Sequence, residues 1–410
     1  FMTGRSFFED AWVASGASTT LRDGLGPMFS ARSCSACHRG GGRSSAVLQM
    51  AFADVQPTDL TLRFDNQYPP SASFPLGSTW TAFAVPQANP FGADNRQAAE
   101  GRFQARATRL FWRYPDGEAL TLLLPQYRLE KAPAEPPVLS VRVAPSLDLS
   151  AMINQVATAT ILALADPADE NGDGVSGRVH PALHALGPGV AGRFGLKARH
   201  INLREQVAAA LNEDLGITST LFPNEACSDS QVLCQAAPNG RGTTVGGLLS
   251  SDRAPMHEIA DQQLDELVLF LSHLDIPDTG PAQQANVDGP GATLFAATGC
   301  VECHTPTLET SDEESVSLFS DLLLHDMGPG LADNGHDTGT LAREWRTAPL
   351  KNIRLRRALT RHENYLHDGR AETIEQAVIW HGGEAGAARD RFARLTKTER
   401  QALLNFVAQL

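Results

Sequence analysis

The sequence has no run of about 18 apolar residues, so no stretch of it can cross a bilayer as a helix. It has no excess of basic charge either. Lys and Arg total 34 against 47 Asp and Glu, a formal net charge of -13. That balance argues against nucleic acid as a partner, and no basic cluster suggests membrane headgroups. From Phe1-Met2 onward there is no basic segment leading into an apolar one, so no export signal is visible. Cysteine is scarce, with six in 410 residues. What is present is an ordinary globular composition, 42% hydrophobic and 20% charged, in a chain long enough for two or three domains.

Four of the six cysteines fall into one pattern used twice: Cys34-Ser35-Ala36-Cys37-His38 and Cys300-Val301-Glu302-Cys303-His304. Two cysteines two residues apart, with histidine next, form the attachment site of a c-type haem. The thiols bond to the haem vinyl groups and the histidine becomes an axial iron ligand. A zinc site or a redox dithiol is the alternative for each cysteine pair. Zinc requires the two pairs to meet in space, and neither alternative explains a histidine directly after both. The expectation is two covalently bound haem c groups, with His38 and His304 as iron ligands. Bacteria attach such haems outside the cytoplasm, which points to the periplasm and to a chain start trimmed on export. Cys227 and Cys234 lie in a polar loop from Asn224 to Pro238. In an oxidising compartment they suit a disulfide, with two reduced thiols as the alternative.

The spacing predicts a mainly α chain of two tandem cytochrome c-like domains, residues 1–280 and 281–410. The first is enlarged by a β-rich insertion over about 47–149, read as one sheet covering the haem domain. Within it, Thr108 to Tyr114 and Ala119 to Leu124 have strand composition, and Pro115-Asp116-Gly117 is a hairpin signal. Helical texture returns over 149–165, 203–214 and 260–274. Ile276 to Pro281 reads as a linker. Thr396, with Glu399 three residues on, is a capping box that opens the last helix. Asp169-Glu170-Asn171-Gly172-Asp173-Gly174 matches the first half of a calcium loop, with Asp169, Asn171 and Asp173 as candidate ligands. The twelfth position is His180 instead of glutamate, and a solvated acidic turn is the alternative.

The C-terminal segment says more. Tyr365-Leu366-His367-Asp368-Gly369-Arg370, with the helix-like run to Val378, resembles the tyrosine-x-His-Asp-Gly segment of bacterial di-haem cytochrome c peroxidases and MauG. Leu324-His325-Asp326-Met327-Gly328 resembles their phenylalanine-His-Asn-x-Gly segment. Further pieces resemble one branch, the di-haem oxidoreductases sometimes labelled thiol oxidoreductase-like: Arg22 to Pro27, Asp173 to Arg178, Gly192 to Gly195 and Ile379 to Ala385.

The resemblance implies a peroxidase-like oxidoreductase. Electrons from a redox partner protein would enter at the second haem and pass to a reactive first haem, which reduces hydrogen peroxide or another small oxidant. A non-enzymatic electron carrier and a MauG-like oxidase of a partner protein are the alternatives. The relatives' sixth ligand lies sixteen positions after the tyrosine, which here is His381, with Met327 as the rival. Gln206 and Asp214 match the distal glutamine and acid, with Glu213 as the alternative acid. His325 and His367 are candidates for haem propionate contacts or for ordinary core histidines. His200 is either a resting distal ligand or a surface histidine. Two departures stand out. Leu196 occupies the position of a tryptophan between the haems, and Thr360-Arg361-His362-Glu363-Asn364 replaces a threonine-x-proline that holds an interdomain calcium.

Overall fold

Two helix crossings frame the molecule, and both are made by a glycine. In this computed structural model the helix Met2–Glu9 lies across Asp261–Ser272. A Cβ on Gly4 would overlap the carbonyl of Glu266, so the helices approach backbone to backbone only because position 4 is bare. Phe8, one turn on, meets Phe270 at a ring separation of 5.4 Å. The second crossing repeats the device. Pro290–Ala297 lies across Lys397–Val407, a Cβ on Gly291 would overlap the Ala402 carbonyl, and Phe295 meets Phe406 at 5.5 Å. In each pair glycine and phenylalanine are four residues apart, hence on one helix face. The structure describes residues 1–13, 22, 24–26, 29, 31–38, 41, 46–51, 62–65, 80–82, 102–130, 138–225, 257–274, 286–333, 339–355 and 364–410.

The expected helices form close to their sequence boundaries. Leu203–Leu215 is opened by Asn202, whose side chain accepts from the Glu205 N–H at 2.9 Å. It is closed by Gly216 in the left-handed region, φ +67°. The capping box forms as read: Glu399 accepts from the Thr396 N–H at 2.8 Å, and the Thr396 hydroxyl accepts from the Glu399 N–H. The stretch 149–165 forms two short helices, Ser150–Gln155 and Thr158–Leu164. The break falls at Val156, which pairs in a β-bridge with Thr310 of the C-terminal half. The linker at 276–281 and the pair Cys227 and Cys234 lie outside the described residues. Among the described residues, no helix is long and apolar enough to cross a membrane.

The β-rich insertion is one antiparallel sheet of six strands. Their spatial order is 119–130, 102–113, 80–82, 62–65, 46–51 and 138–143. The predicted hairpin joins the two long strands through a turn with Gly117 at φ +90°. Its location differs from expectation. The hairpin docks on the C-terminal half and does not cover the first haem domain through its described contacts. The Tyr114 hydroxyl donates to Glu375 at 2.8 Å, and the Gln376 amide donates to the Thr121 carbonyl at 3.0 Å. The guanidinium of Arg400, nearly buried, reaches Asp116 and Glu118 at 2.8 Å each. Alternation of side chains identifies strands, but it carries no information about which distant helix they meet.

Two hydrophobic clusters form the core. The first gathers Phe7, Trp12, Phe194, Leu211 and Leu264, and it also takes in Leu308, Leu318, Leu322 and Leu323. The second gathers Phe295, Phe319, Phe392, Leu403 and Phe406, with Tyr114 and Leu122 from the hairpin. A boundary near residue 280 therefore does not separate the cores cleanly. The segment after the second cysteine motif packs back on the first half.

Candidate functional site

Both cysteine motifs adopt the same local turn. The His304 N–H donates to the Cys300 carbonyl at 2.9 Å, and the His38 N–H donates to the Cys34 carbonyl at 2.8 Å. One helical turn thus sets both thiols and the following imidazole side by side. At the second motif the turn is entered through Gly299, φ +81°, after the helix Pro290–Ala297 ends.

A cavity of about 550 Å³ opens beside this motif, within the range of cofactor sites. Cys300, Cys303 and His304 line it, as do His381 and the rival Met327. Leu350, Ile353, Leu366, Val378 and Val407 supply apolar wall. The two histidines are prepared alike. His304 Nδ1 lies 3.0 Å from the Phe319 carbonyl, and His381 Nδ1 lies 2.7 Å from the Ala377 carbonyl. A carbonyl only accepts, so Nδ1 carries the proton in each ring and Nε2 keeps its lone pair. Burial pushes His304 down to about 4 and also lowers His381, which disfavours a second proton on either ring. His381 caps the end of the helix Ile374–Trp380, whose first turn is fixed by the Thr373 hydroxyl accepting from the Gln376 N–H at 3.1 Å.

Arg346 also lines the cavity, and burial lowers it to about 10. It donates to the carbonyls of Gly195 at 2.8 Å and Thr347 at 3.3 Å. Among the described residues no carboxylate pairs with it. Two thiols, two imidazoles with open Nε2 atoms, an apolar wall and a buried cation fit a haem, whose edge carries acidic propionates.

His325 is a core histidine with both nitrogens engaged. Nε2 lies 2.8 Å from Asp321 and Nδ1 lies 3.0 Å from Glu384, while Cys303 Sγ is 3.7 Å from Nδ1. Burial works against its charge, but Asp321, Cys303 and Glu384 outweigh that and hold it well above the usual range. Burial likewise opposes ionisation of Glu384, yet hydrogen bonds from His325 and Ser176 bring its carboxyl down to about 2. Among the described residues, Cys303, Asp321 and His325 are the one group close enough together to share a metal ion. His367 stands apart, stacked on Trp345 at 3.8 Å and also lining the cavity.

At the first motif burial pushes the Cys34 thiol up to about 12, and the charge of Asp214 adds to the shift. Asp214 is therefore near Cys34 and half-buried, whereas Glu213 is exposed. Gly195 sits between Gln206 and His200: a Cβ there would lie 3.4 Å from Gln206 Oε1 and 3.8 Å from His200 Cδ2. Gln206 Oε1 is buried with no hydrogen-bond partner among the described residues. A buried acceptor without a donor is costly, and a donor group brought into this pocket would satisfy it. His200 is largely buried, its Nδ1 3.5 Å from Glu205. Leu196, next in the chain, lines the cavity beside the second motif, so one short segment touches both sites.

Asp169, Asn171 and Asp173 all lie in the described loop, and each accepts a hydrogen bond within it. Asp169 accepts from Gly174, Asn171 from Asp173 and Asp173 from Val175, each through a backbone N–H of the same loop. These Asx turns fix the shape of the loop. Of the Thr360 to Asn364 run, only Asn364 is among the described residues. The sequence reading missed Asp321, Trp345, Arg346 and Lys197. Glu384 lay inside a quoted segment, but nothing in its spacing pointed to His325.

These sites define a chain built to hold redox cofactors beside buried imidazoles. The model of the family described as "di-haem oxidoreductase, putative peroxidase" matches residues 140–410, about two thirds of the sequence. The chain belongs to this family. The match includes the second cysteine motif, and the first lies before it. No match was found among curated proteins or among solved structures.

Proposed function

We propose that the chain is a periplasmic di-haem c-type oxidoreductase that reduces hydrogen peroxide with electrons from a partner protein. Membership of the di-haem family supports the reaction class. The observation that carries the assignment is the pair His304 and His381, anchored through Nδ1 with both Nε2 lone pairs open beside Cys300 and Cys303. These four residues would hold the second haem, Cys300 and Cys303 through their thiols and His304 and His381 through their open nitrogens, and Cys34, Cys37 and His38 would hold the first. When bound, the haems supply the iron and the electron storage that the reaction needs.

The chain's own residues divide the work. Two histidines holding one iron would suit an electron store, since such a ligand set favours a low potential. At the first site Asp214 exchanges the proton that must leave one peroxide oxygen and arrive on the other. Gln206, whose Oε1 is buried with no donor among the described residues, accepts from the incoming peroxide and orients it. The exposed position of Glu213 favours Asp214 as the acid.

Optical and EPR spectra of the ferric protein test this reading. One low-spin and one high-spin haem are expected, the high-spin signal shifting on addition of peroxide. His381→Ala should convert the low-spin haem to high spin. Two low-spin haems that ignore peroxide in both redox states would leave a non-enzymatic electron carrier.

A further inference from the structure

Glu344 is a buried acid outside the set that would hold the haems. It opens the strand Glu344–Arg346, whose other two residues line the cavity beside the second motif. Its side chain is 2% exposed. Oε1 lies 3.2 Å from Arg178, and Oε2 is buried with no hydrogen-bond partner among the described residues. Arg178 is shared, since it also lies 3.4 Å from Glu384.

The two carboxylates on this guanidinium are unequal. Glu384 also accepts from the Ser176 N–H at 2.9 Å and the Ser176 hydroxyl at 2.6 Å, and His325 Nδ1 lies 3.0 Å away. Several donors on one carboxylate hold it ionised. No such bond reaches Glu344 Oε2. Across the antiparallel pair Glu344 stands opposite Asp326, so two acids share one face of the ribbon. The charged groups acting on Glu344 are Arg178, Glu384 from the turn Gly383–Ala385, and Asp326 and His325 from the strand Leu324–Asp326. Arg343 precedes it and pairs with Asp326 at 3.2 Å, while the Lys197 ammonium donates to the Glu344 backbone carbonyl at 2.6 Å. Burial pushes the Glu344 carboxyl up, and Glu384 and Asp326 add to this against the pull of Arg178 and His325.

This cluster abuts the cofactor cavity, because His325 and Glu384 are part of its wall. A charge added to the cavity acts strongly on buried ionisable groups. An electron entering there adds one negative charge and favours uptake of a proton. Glu384 is fixed as a carboxylate by its donors, and His325 is held between two carboxylates in its charged form. Glu344 is the member whose neutralisation removes a buried charge without breaking a hydrogen bond at Oε2. Arg178, 31% exposed, opens the cluster to solvent.

We propose that Glu344 is a positioning residue that couples protons to electrons: it takes one proton from solvent at Oε2 for each electron that enters the second haem site. This rests on the di-haem reading above. The donor protein loses the electron, the carboxylate becomes a carboxyl, and the charge of the site as a whole is unchanged. When the electron moves on, the O–H bond breaks and the proton returns to solvent.

Spectroelectrochemical titration of the di-haem protein, without peroxide, measures the midpoint potential of the second haem against pH. Where the carboxyl titrates, the native midpoint should fall by about 59 mV per pH unit, the value of a tenfold change in proton concentration for one electron. Glu344→Gln should flatten this interval, and Glu344→Asp, which keeps the acid, should restore the slope. A native midpoint independent of pH, or equal slopes in the native protein and Glu344→Gln, overturns the proposal. If Glu344→Gln does not fold, reduced-minus-oxidised infrared spectra of protein carrying isotope-labelled glutamate decide the matter. A carboxyl band that appears on reduction, shifts with the label and persists in Glu384→Gln is expected, and its absence overturns the proposal. A di-haem protein that never consumes peroxide would sink the proposed function, while the midpoint titration still decides the role of Glu344.

Discussion

Replacing His325 by leucine should cost the protein about 3–5 kcal/mol of stability, the range for breaking a buried ion pair from one side. The value follows from what each partner keeps. Glu384 retains the Ser176 N–H at 2.9 Å, the Ser176 hydroxyl at 2.6 Å and Arg178 at 3.4 Å. Among the described residues Asp321, 2% exposed, keeps the Leu323 N–H at 2.9 Å and loses its hydrogen-bonded charged partner at 2.8 Å, with the Arg346 charge acting on it from farther off. The gross attraction over that distance is on the order of 6 kcal/mol at an effective dielectric constant of 20. Desolvation of the pair offsets much of it in the intact protein. Removing one partner leaves that desolvation uncompensated, which is why the single substitution is severe. Asp321→Leu together with His325→Leu should lose about 1–3 kcal/mol less than the two single losses added together. Urea unfolding followed by far-UV circular dichroism, at equal haem content, measures all four proteins. A His325→Leu loss below about 1 kcal/mol, or strict additivity in the cycle, would refute the argument.

Asp214→Asn should lower peroxide turnover by roughly 10²–10⁴-fold, the usual contribution of a positioned acid or base, while Glu213→Gln changes it little; equal losses in steady-state assays would reverse the assignment. Glu384, held at about 2 against an ordinary 4.5, contributes stability that is complete above its unfolded value and fades as pH falls from 4.5 towards 2. Thermal melts should therefore show acid destabilisation, on the order of 2 kcal/mol from this group, that is absent from Glu384→Gln. Parallel pH profiles for the two proteins would count against it. Gly291→Ala should push the Pro290–Ala297 helix away from Ala402 and cost about 1–3 kcal/mol, whereas an unchanged urea midpoint would mean the crossing relaxes freely.

What the sequence made legible was local. The two cysteine motifs, the capping box at Thr396, the helix at 203–215 and the hairpin around Gly117 depend on neighbours within one or two turns. His381 was singled out through the resemblance, sixteen positions after Tyr365, and it lies in the cavity wall. The remainder depends on meetings between distant residues. Asp321 is four residues before His325, but the third member, Glu384, arrives from 59 positions away. Lys197 and Trp345 have no common periodicity, and their contact exists only because Arg346 and Leu196 pair through their backbones at 2.9 Å. The hairpin was legible as a hairpin, but where its tip docks was not, because Tyr114 and Asp116 find partners past residue 370.

The glycine crossings also bear on the order in which the chain folds. Gly291 must find Ala402, whereas Gly4 must find Glu266 across more than twice as much chain, because the sheet lies in between. The longer loop costs only about 0.8 kcal/mol more to close. The contact is nonetheless made late, since the strands from Ala46 to Val143 must be gathered first. The C-terminal crossing should therefore form early, and the hairpin that docks on it then has a surface to fold against. Pulse-labelled hydrogen exchange should find the amides of Lys397–Val407 protected before those of Asp261–Ser272.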